Sequence, residues 1–199
     1  LDDGSLEWEL DLNTGGHDGP IINITFGTDG QLAVTVASDG TLALWSVVER
    51  SQIGNVRANI PSGSPIRGLQ APAGADFVLS YTAGGAYLQQ LDVNGTIIGA
   101  YGDDSDRVVA AALSPDGRRL LTGNRNGMIS LWNTDLRDDN RPSTPLTNQD
   151  YGNGGFLPVT TLQFSADASH ALAAFDDGSL RVWQINEDDS LTLTSEWST

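Results

Sequence analysis

Cysteine is absent from the chain, which excludes disulfide staples, zinc–thiolate sites and thiol nucleophiles. Lysine is absent too: all ten basic residues are arginines, against 26 acidic residues, for a formal net charge of −16. The longest basic cluster is the pair Arg118 and Arg119. Nucleic acid and anionic lipid both recruit clustered positive charge, so neither is an expected partner. The acidity reads as a solvated surface, with complementarity to a basic partner as the sharper alternative. No apolar run approaches the ~18 residues of a membrane span, and the start of the chain lacks the basic-then-apolar pattern of a signal peptide. Residue 1 is Leu, not Met, which leaves room for a targeting segment ahead of it. Hydrophobic residues make up 39% of the 199 residues, enough for a real core.

What the chain does have is an internal repeat. The segments SDGTLALW, RNGMISLW and DGSLRVW each set an Asp-Gly or Asn-Gly pair before an alternating strand that ends in tryptophan, at Gly40, Gly127 and Gly178. A weaker copy, AGGAYLQQL, lies at Gly85, so successive spacings are 45, 42 and 51 residues. A second turn stands upstream in each unit: GTDG at 27–30, APAG at 71–74, SPDG at 114–117 and SADAS at 165–169. Such residues tolerate the positive φ of tight hairpins. Period-two runs such as Ile22, Ile24, Phe26 and Leu32, Val34, Val36 flank these turns, giving three strands per unit. A fourth strand is read after each tryptophan position, over 53–60, 96–101, 143–148 and 191–197. Four strands in ~46 residues, repeated, predict an all-β propeller of four-stranded antiparallel blades. The approximate repeats are 2–48, 49–92, 93–135 and 136–186, with 187–199 starting a further outer strand.

These motifs resemble the WD repeat, in which a Gly-His pair precedes the first strand and a Trp-Asp-like pair closes the third. The first unit fits best, with Gly16 and His17, then Thr35, Asp39 and Trp45. The resemblance implies that His17, Thr35, Asp39 and Trp45 form a hydrogen-bonded chain tying turn to strands. The six-residue interval from turn acid or amide to indole recurs as Asn126 to Trp132 and Asp177 to Trp183, and Thr122 matches the hydroxyl position in the third unit. Ala173 replaces that hydroxyl in the fourth unit, while the second has Gly84 and Gln90 where Asp and Trp are expected. Ser46, Asn133 and Gln184 follow the tryptophan positions, never Asp, so the member is divergent. The family's propellers mostly have about seven blades, so about four units imply an incomplete ring. The start, with Trp8, and the end, with Trp197, both read as outermost strands. A fragment of a longer propeller, or one completed by another chain, is the expectation, because an unclosed ring exposes sheet faces and edges.

Chemistry-bearing residues are sparse. Only His17 and His170 could act as acid–base groups or imidazole ligands near neutral pH; His17 sits at the family's structural position, and His170 reads as a solvated hairpin residue. Asp103, Asp104 and Asp106 cluster before the third unit, and Asp138, Asp139 and Asp150 lie in a polar insert, but neither group has calcium-loop spacing. No phosphate loop, nucleophile elbow or zinc helix motif occurs. No metal, cofactor or catalytic residue is therefore assigned. Asn23-Ile24-Thr25 and Asn94-Gly95-Thr96 are formal glycosylation sequons; the first falls inside a predicted inner strand.

The family is dominated by protein-interaction platforms, which implies a non-catalytic scaffold or a subunit of a larger assembly. The expected partners are other protein chains or the remainder of the same propeller. The best candidate surface is the insert from Asn133 to Pro158, with Tyr151 and Phe156, beside Arg125 and the cluster of Asp103, Asp104 and Asp106, since Tyr and Arg are enriched at binding hot spots. A propeller enzyme or cofactor protein using the central channel is the alternative, as is a sensor module of a signalling protein.

Overall fold

The computed structural model describes residues 17–26, 30–57, 66–71, 77–82, 85–90, 97–102, 108–134, 145–152 and 155–198. Every regular element among them is a strand. The first sheet is β1 (Ile21–Phe26), β2 (Leu32–Ala37), β3 (Thr41–Ser46) and β4 (Ser51–Arg57). The second is β5 (Gly68–Gln70), β6 (Phe77–Thr82), β7 (Gly85–Gln90) and β8 (Ile97–Tyr101). The third is β9 (Val108–Leu113), β10 (Arg119–Asn124), β11 (Met128–Asn133) and β12 (Thr147–Asp150). The fourth is β13 (Val159–Phe164), β14 (His170–Phe175), β15 (Leu180–Ile185) and β16 (Leu191–Trp197). Each sheet is an antiparallel meander in sequence order. The first strands stand side by side, β1 against β5, β5 against β9 and β9 against β13. Four blades of a propeller result, as the repeat predicts.

The turns explain the sheets. Gly40, Gly127 and Gly178 have φ of 81°, 84° and 83°, a left-handed conformation that favours glycine and reverses the chain between second and third strands. At the upstream turn of the fourth blade Ala168 takes φ 58° where Gly117 takes 71° in the third. There the Ser165 and Ser169 hydroxyls and the Ser169 amide all donate to Asp167 Oδ1. These bonds hold the turn without glycine and keep the Asp167 carboxyl far below its usual range.

The core lies between blades. Val34, Val36, Leu42 and Leu44 of the first blade bury against Ile66, Leu69 and Val78. Phe77, Leu79, Leu88 and Tyr101 of the second bury against Ala111, Leu120 and Trp132. Leu121, Ile129 and Leu131 of the third bury against Leu162, Phe164, Phe175 and Trp183. A middle strand thus packs both faces, so β2 and β10 are buried almost throughout. Burying each Leu, Ile or Phe of these interfaces stabilises by roughly 1.5–3 kcal/mol.

The outermost strands depart most from expectation. The strand expected over 53–60 is β4, Ser51–Arg57, and the one expected over 143–148 is β12, Thr147–Asp150. Both lie at a sheet edge with one hydrogen-bonded neighbour, where little apolar alternation marks their ends. The segments at 96–101 and 191–197 coincide with β8 and β16 to within a residue. Trp8 and the rest of residues 1–16 lie outside the described residues. No helix among the described residues is long and apolar enough to cross a membrane.

Candidate functional site

The polar network of the first blade is built from its turn. Asp39, in the β2–β3 turn, accepts hydrogen bonds from the Thr41 amide at 2.9 Å and the Asp18 amide at 2.8 Å. The Thr41 hydroxyl donates to the same carboxylate at 2.7 Å and stands 2.5 Å from His17 Nδ1. His17 Nε2 is 2.7 Å from the Thr35 hydroxyl, which also accepts the Trp45 indole N–H at 2.7 Å. One assignment satisfies every atom: Trp45 donates to Thr35, Thr35 to His17 Nε2, His17 Nδ1–H to Thr41, and Thr41 to Asp39. The imidazole in it is neutral, and burial lowers the His17 pKa against the opposing pull of Asp39. The expected chain of His17, Thr35, Asp39 and Trp45 is present, with Thr41 interposed between histidine and carboxylate. Partial desolvation opposes ionisation of Asp39, but the hydrogen bonds from Thr41 and Asp18 and the nearby His17 outweigh it and lower its pKa.

The other blades carry parts of this network. In the third, Trp132 donates to the Thr122 hydroxyl at 2.8 Å. Its turn is closed by Asn124, whose side-chain oxygen accepts from the amides of Asn126 and Met128, both at 2.9 Å. Asn126 itself is exposed, so Asn124 holds the turn that sequence spacing assigns to it. In the second blade Ser80 pairs across the ladder with Tyr87, as Thr35 pairs with Ala43. The residue two further on is Gln89, not Gln90; it takes the tryptophan position and accepts from Ser80 at 3.1 Å. The β6–β7 connection is one residue shorter than β2–β3, which shifts the register from the expected spacing.

The fourth blade solves the missing hydroxyl differently. Ala173 occupies the position of Thr35 and Thr122, and the Trp183 indole donates instead to the Tyr151 hydroxyl. Tyr151 follows β12 and so comes from the preceding blade. Its ring meets Phe175 edge-on at 5.9 Å and Trp183 at 5.4 Å. The Arg181 guanidinium lies 4.5 Å from the centroids of both Tyr151 and Phe175 and binds Glu196 on the neighbouring strand at 2.7 Å. Burial raises the Tyr151 pKa despite Trp183 and Arg181. Asp177 accepts from the Ser179 amide at 2.9 Å.

Tyr151 and Leu157 are both fastened to the β10–β11 turn. The Tyr151 amide donates to the Gly127 carbonyl at 3.2 Å, and the Leu157 amide to the Arg125 carbonyl at 3.0 Å. A Cβ on Gly152 would sit 1.7 Å from the Asn126 carbonyl oxygen, so only glycine permits this approach. Phe156 projects from the fastened segment with 73% of its surface exposed. Arg125 is half-buried in the turn to which the Leu157 amide is bonded. Of the expected surface residues, the structure therefore joins Arg125, Tyr151 and Phe156 in one loop unit, with Tyr151 turned inward. Asp103, Asp104 and Asp106 lie outside the described residues. His170 begins β14, exposed, with Nδ1 2.7 Å from the Ser169 hydroxyl. Among the described residues no group of three or more His, Asp or Glu could hold a metal ion.

Comparison with known proteins matches this arrangement. The chain is 24% identical over 179 residues to the target of rapamycin complex subunit LST8 of Saccharomyces cerevisiae, covering 90% of this chain and 57% of that protein. It is 26% identical over 152 residues to pre-mRNA-processing factor 19 of Mus musculus, covering 75% of this chain and 28% of that one. The chain thus spans little more than half of the first relative and less of the second. Among solved structures, the β-propeller domain of Cps50 (Swd1) of Myceliophteria thermophila superposes with a TM-score of 0.72 over 92% of this chain and 60% of that one, at 14% identity. The model of the WD domain, G-beta repeat, matches residues 8–46, 95–133 and 148–184, more than half of the chain. With indole-to-hydroxyl bonds in the first and third blades and a tyrosine standing in for the hydroxyl in the fourth, the chain belongs to the WD-repeat, G-beta repeat family.

Proposed function

We propose that the chain is an interaction scaffold, a subunit of a larger protein assembly, which engages its partner through the loop unit of Arg125 and Phe156. The observation that carries this reading is Phe156 itself. A large apolar ring is held in water on a segment whose backbone is bonded to a neighbouring turn and whose Tyr151 is locked into the blade interface. Such an anchor is ordered before binding, so little conformational entropy is lost on association. His17, the buried imidazole, is engaged on both ring nitrogens, which suits a structural post better than proton transfer. One relative, LST8, is a subunit of a protein complex, which supports the same reading. With a net charge of −16 and no lysine, the partner's contact segment should be basic and apolar rather than nucleic acid or an anionic membrane. Asp103, Asp104 and Asp106 would add to that field.

The test is native purification of the assembly followed by cross-linking through carboxylates, since no lysine is available. Phe156→Ser and Arg125→Ala, which removes the guanidinium's packing and donors without adding a negative charge that would favour a basic partner, should each lower recovery of the partner polypeptide by roughly tenfold or more, the loss usual for a hot-spot side chain. Val48→Ser, equally exposed but on the β3–β4 turn, should leave it unchanged. Equal recovery for all three would overturn the assignment of this surface.

A further inference from the structure

The first and fourth blades match residue for residue, which makes their β2–β3 and β14–β15 turns comparable. Ile21 pairs with Ala37 as Val159 pairs with Phe175, and Ala33 with Trp45 as Ala171 with Trp183. The Ser38 amide donates to the Pro20 carbonyl and the Asp176 amide to the Pro158 carbonyl, both at 2.9 Å. From His17 to Trp45, therefore, each residue has its counterpart at one constant offset. Gly155 stands in the place of His17, Phe156 in that of Asp18, Asp177 in that of Asp39 and Ser179 in that of Thr41.

Asp39 is spent inside its own blade, on the Asp18 amide, the Thr41 amide and the Thr41 hydroxyl that reaches His17. In the fourth blade those partners fall away. Gly155 offers no imidazole. Among the described residues Asp177 accepts only the Ser179 amide, and no bond runs to it from the Phe156 amide. Ser179 is 2% exposed, and its hydroxyl has no hydrogen-bond partner. Arg181, two residues further on, is bonded to Glu196 and not to Asp177. Because Tyr151 has taken over the Trp183 indole, this blade holds together without its turn acid. Asp177 is exposed, and the matched frame sets it beside Phe156 as Asp39 stands beside Asp18.

We propose that Asp177 is a further partner-binding residue, which receives the arginine or lysine side chain of a segment whose apolar residue lies on Phe156. The inference rests on the loop reading given above and adds a second, charged contact to it. Charge complementarity carries the choice of occupant: a carboxylate with no cation bonded to it adjoins an apolar ring that is 73% exposed, and a basic residue next to an apolar one satisfies both. Asp176, exposed in the same turn, adds to the attraction. The corresponding turns do not repeat the pair. In the first blade the carboxylate is consumed by the network, and in the third the neutral Asn126 holds its place.

The probe is the partner polypeptide that co-purifies with the native full-length protein, identified by mass spectrometry and titrated back onto it. Asp177→Asn keeps the oxygen that accepts the Ser179 amide and removes only the charge. It should raise Kd roughly threefold to fivefold at low salt, the range of a solvent-accessible ion pair, and the difference from wild type should vanish near 1 M salt, where screening acts within about 3 Å. Glu187→Gln removes the same charge from an exposed residue beyond the other end of β15 and should leave Kd unchanged. If Asp177→Asn loses its far-UV circular dichroism, Asp177→Ser, whose hydroxyl also accepts a turn amide, takes its place. Photo-cross-linking from Phe156→p-benzoylphenylalanine should land on a partner segment that carries arginine or lysine. A segment with neither overturns the inference, as does an equal loss for Glu187→Gln, which would mean a field of the whole chain and not a contact. Unchanged binding by Asp177→Asn beside weakened binding by Phe156→Ser overturns this inference and leaves the loop reading standing. Unchanged binding by Phe156→Ser overturns the loop reading and this inference with it.

Discussion

Tyr151 does in the fourth blade what a threonine does in the first and third. Trp183 is buried, and an indole N–H without an acceptor there costs about 1–3 kcal/mol. Tyr151→Phe keeps the ring against Phe175 and Arg181 and removes only the acceptor. A drop of about 1–3 kcal/mol in unfolding free energy, read from urea denaturation, is therefore expected. Adding Ala173→Thr to Tyr151→Phe restores a hydroxyl at the register position of Thr35 and Thr122, and should recover most of the loss. A Tyr151→Phe chain within about 0.5 kcal/mol of wild type, the range of neutral surface changes, would show that the bond adds little. The first-blade network was legible in the sequence because His17, Thr35, Asp39 and Trp45 lie within one repeat at the family's spacing. Tyr151 was not, because it lies 32 residues from Trp183 on another blade. Its aromatic identity suggested an exposed anchor, whereas its hydroxyl is spent inside the interface.

At the scale of the strand, Gly123 shows how blades are fitted to one another. It is the penultimate residue of β10, a strand position where glycine ordinarily weakens pairing, and one held by Val36, Tyr81 and Ala174 in the other blades. An added Cβ would come within 2.7 Å of both Val159 Cβ and Cγ1 on the first strand of the next blade. Gly123→Ala should therefore destabilise by about 1–3 kcal/mol through overpacking, despite the better strand propensity of alanine. Gly123→Ala combined with Val159→Ala, which removes Cγ1 and Cγ2 though not Cβ, should be partly relieved and so less destabilised than the sum of the two single changes. Additive losses in thermal unfolding would refute steric coupling. The middle strands were readable from the turns that flank them and, in β2, from the period-two spacing of Leu32, Val34 and Val36; in β10 Thr122, Gly123 and Asn124 are buried without an apolar run to mark them. Edge strands such as β12 were misplaced because their limits depend on pairing with one neighbour. The one-residue register change at Gln89 was hidden because it arises in the length of the β6–β7 turn, not in the residues of either strand.

For the whole molecule, acid stability depends on how its networks hold their protons. In the first blade the Thr35 hydroxyl accepts from Trp45 and donates to His17 Nε2. A second proton on the imidazole would force that hydroxyl to reverse, in a site where burial already lowers the His17 pKa. The unfolded chain has no such restriction and takes up its proton near pH 6.5. With the native pKa below the unfolded one, the stability contribution of neutral His17 is fully present above pH 6.5 and is lost as pH falls from there through the native value. The carboxyls of Asp39 and Asp116 are also lowered, by hydrogen bonds that outweigh desolvation. Their contribution persists to lower pH and is lost only beneath the ordinary carboxyl range, near 3.8 in the unfolded chain. Two separate losses are thus expected on acidification, the first from the imidazole and the second from the turn carboxylates. Urea midpoints measured at intervals from pH 7.5 to about 3 should fall in those two steps. His17→Gln, less stable at pH 7.5 because the chain from Trp45 to Asp39 is broken, should lack the first step and keep the second. A wild-type midpoint that stays level between about pH 6.5 and 5 would mean that the Thr35 and Thr41 hydroxyls accept an imidazolium as readily as an imidazole.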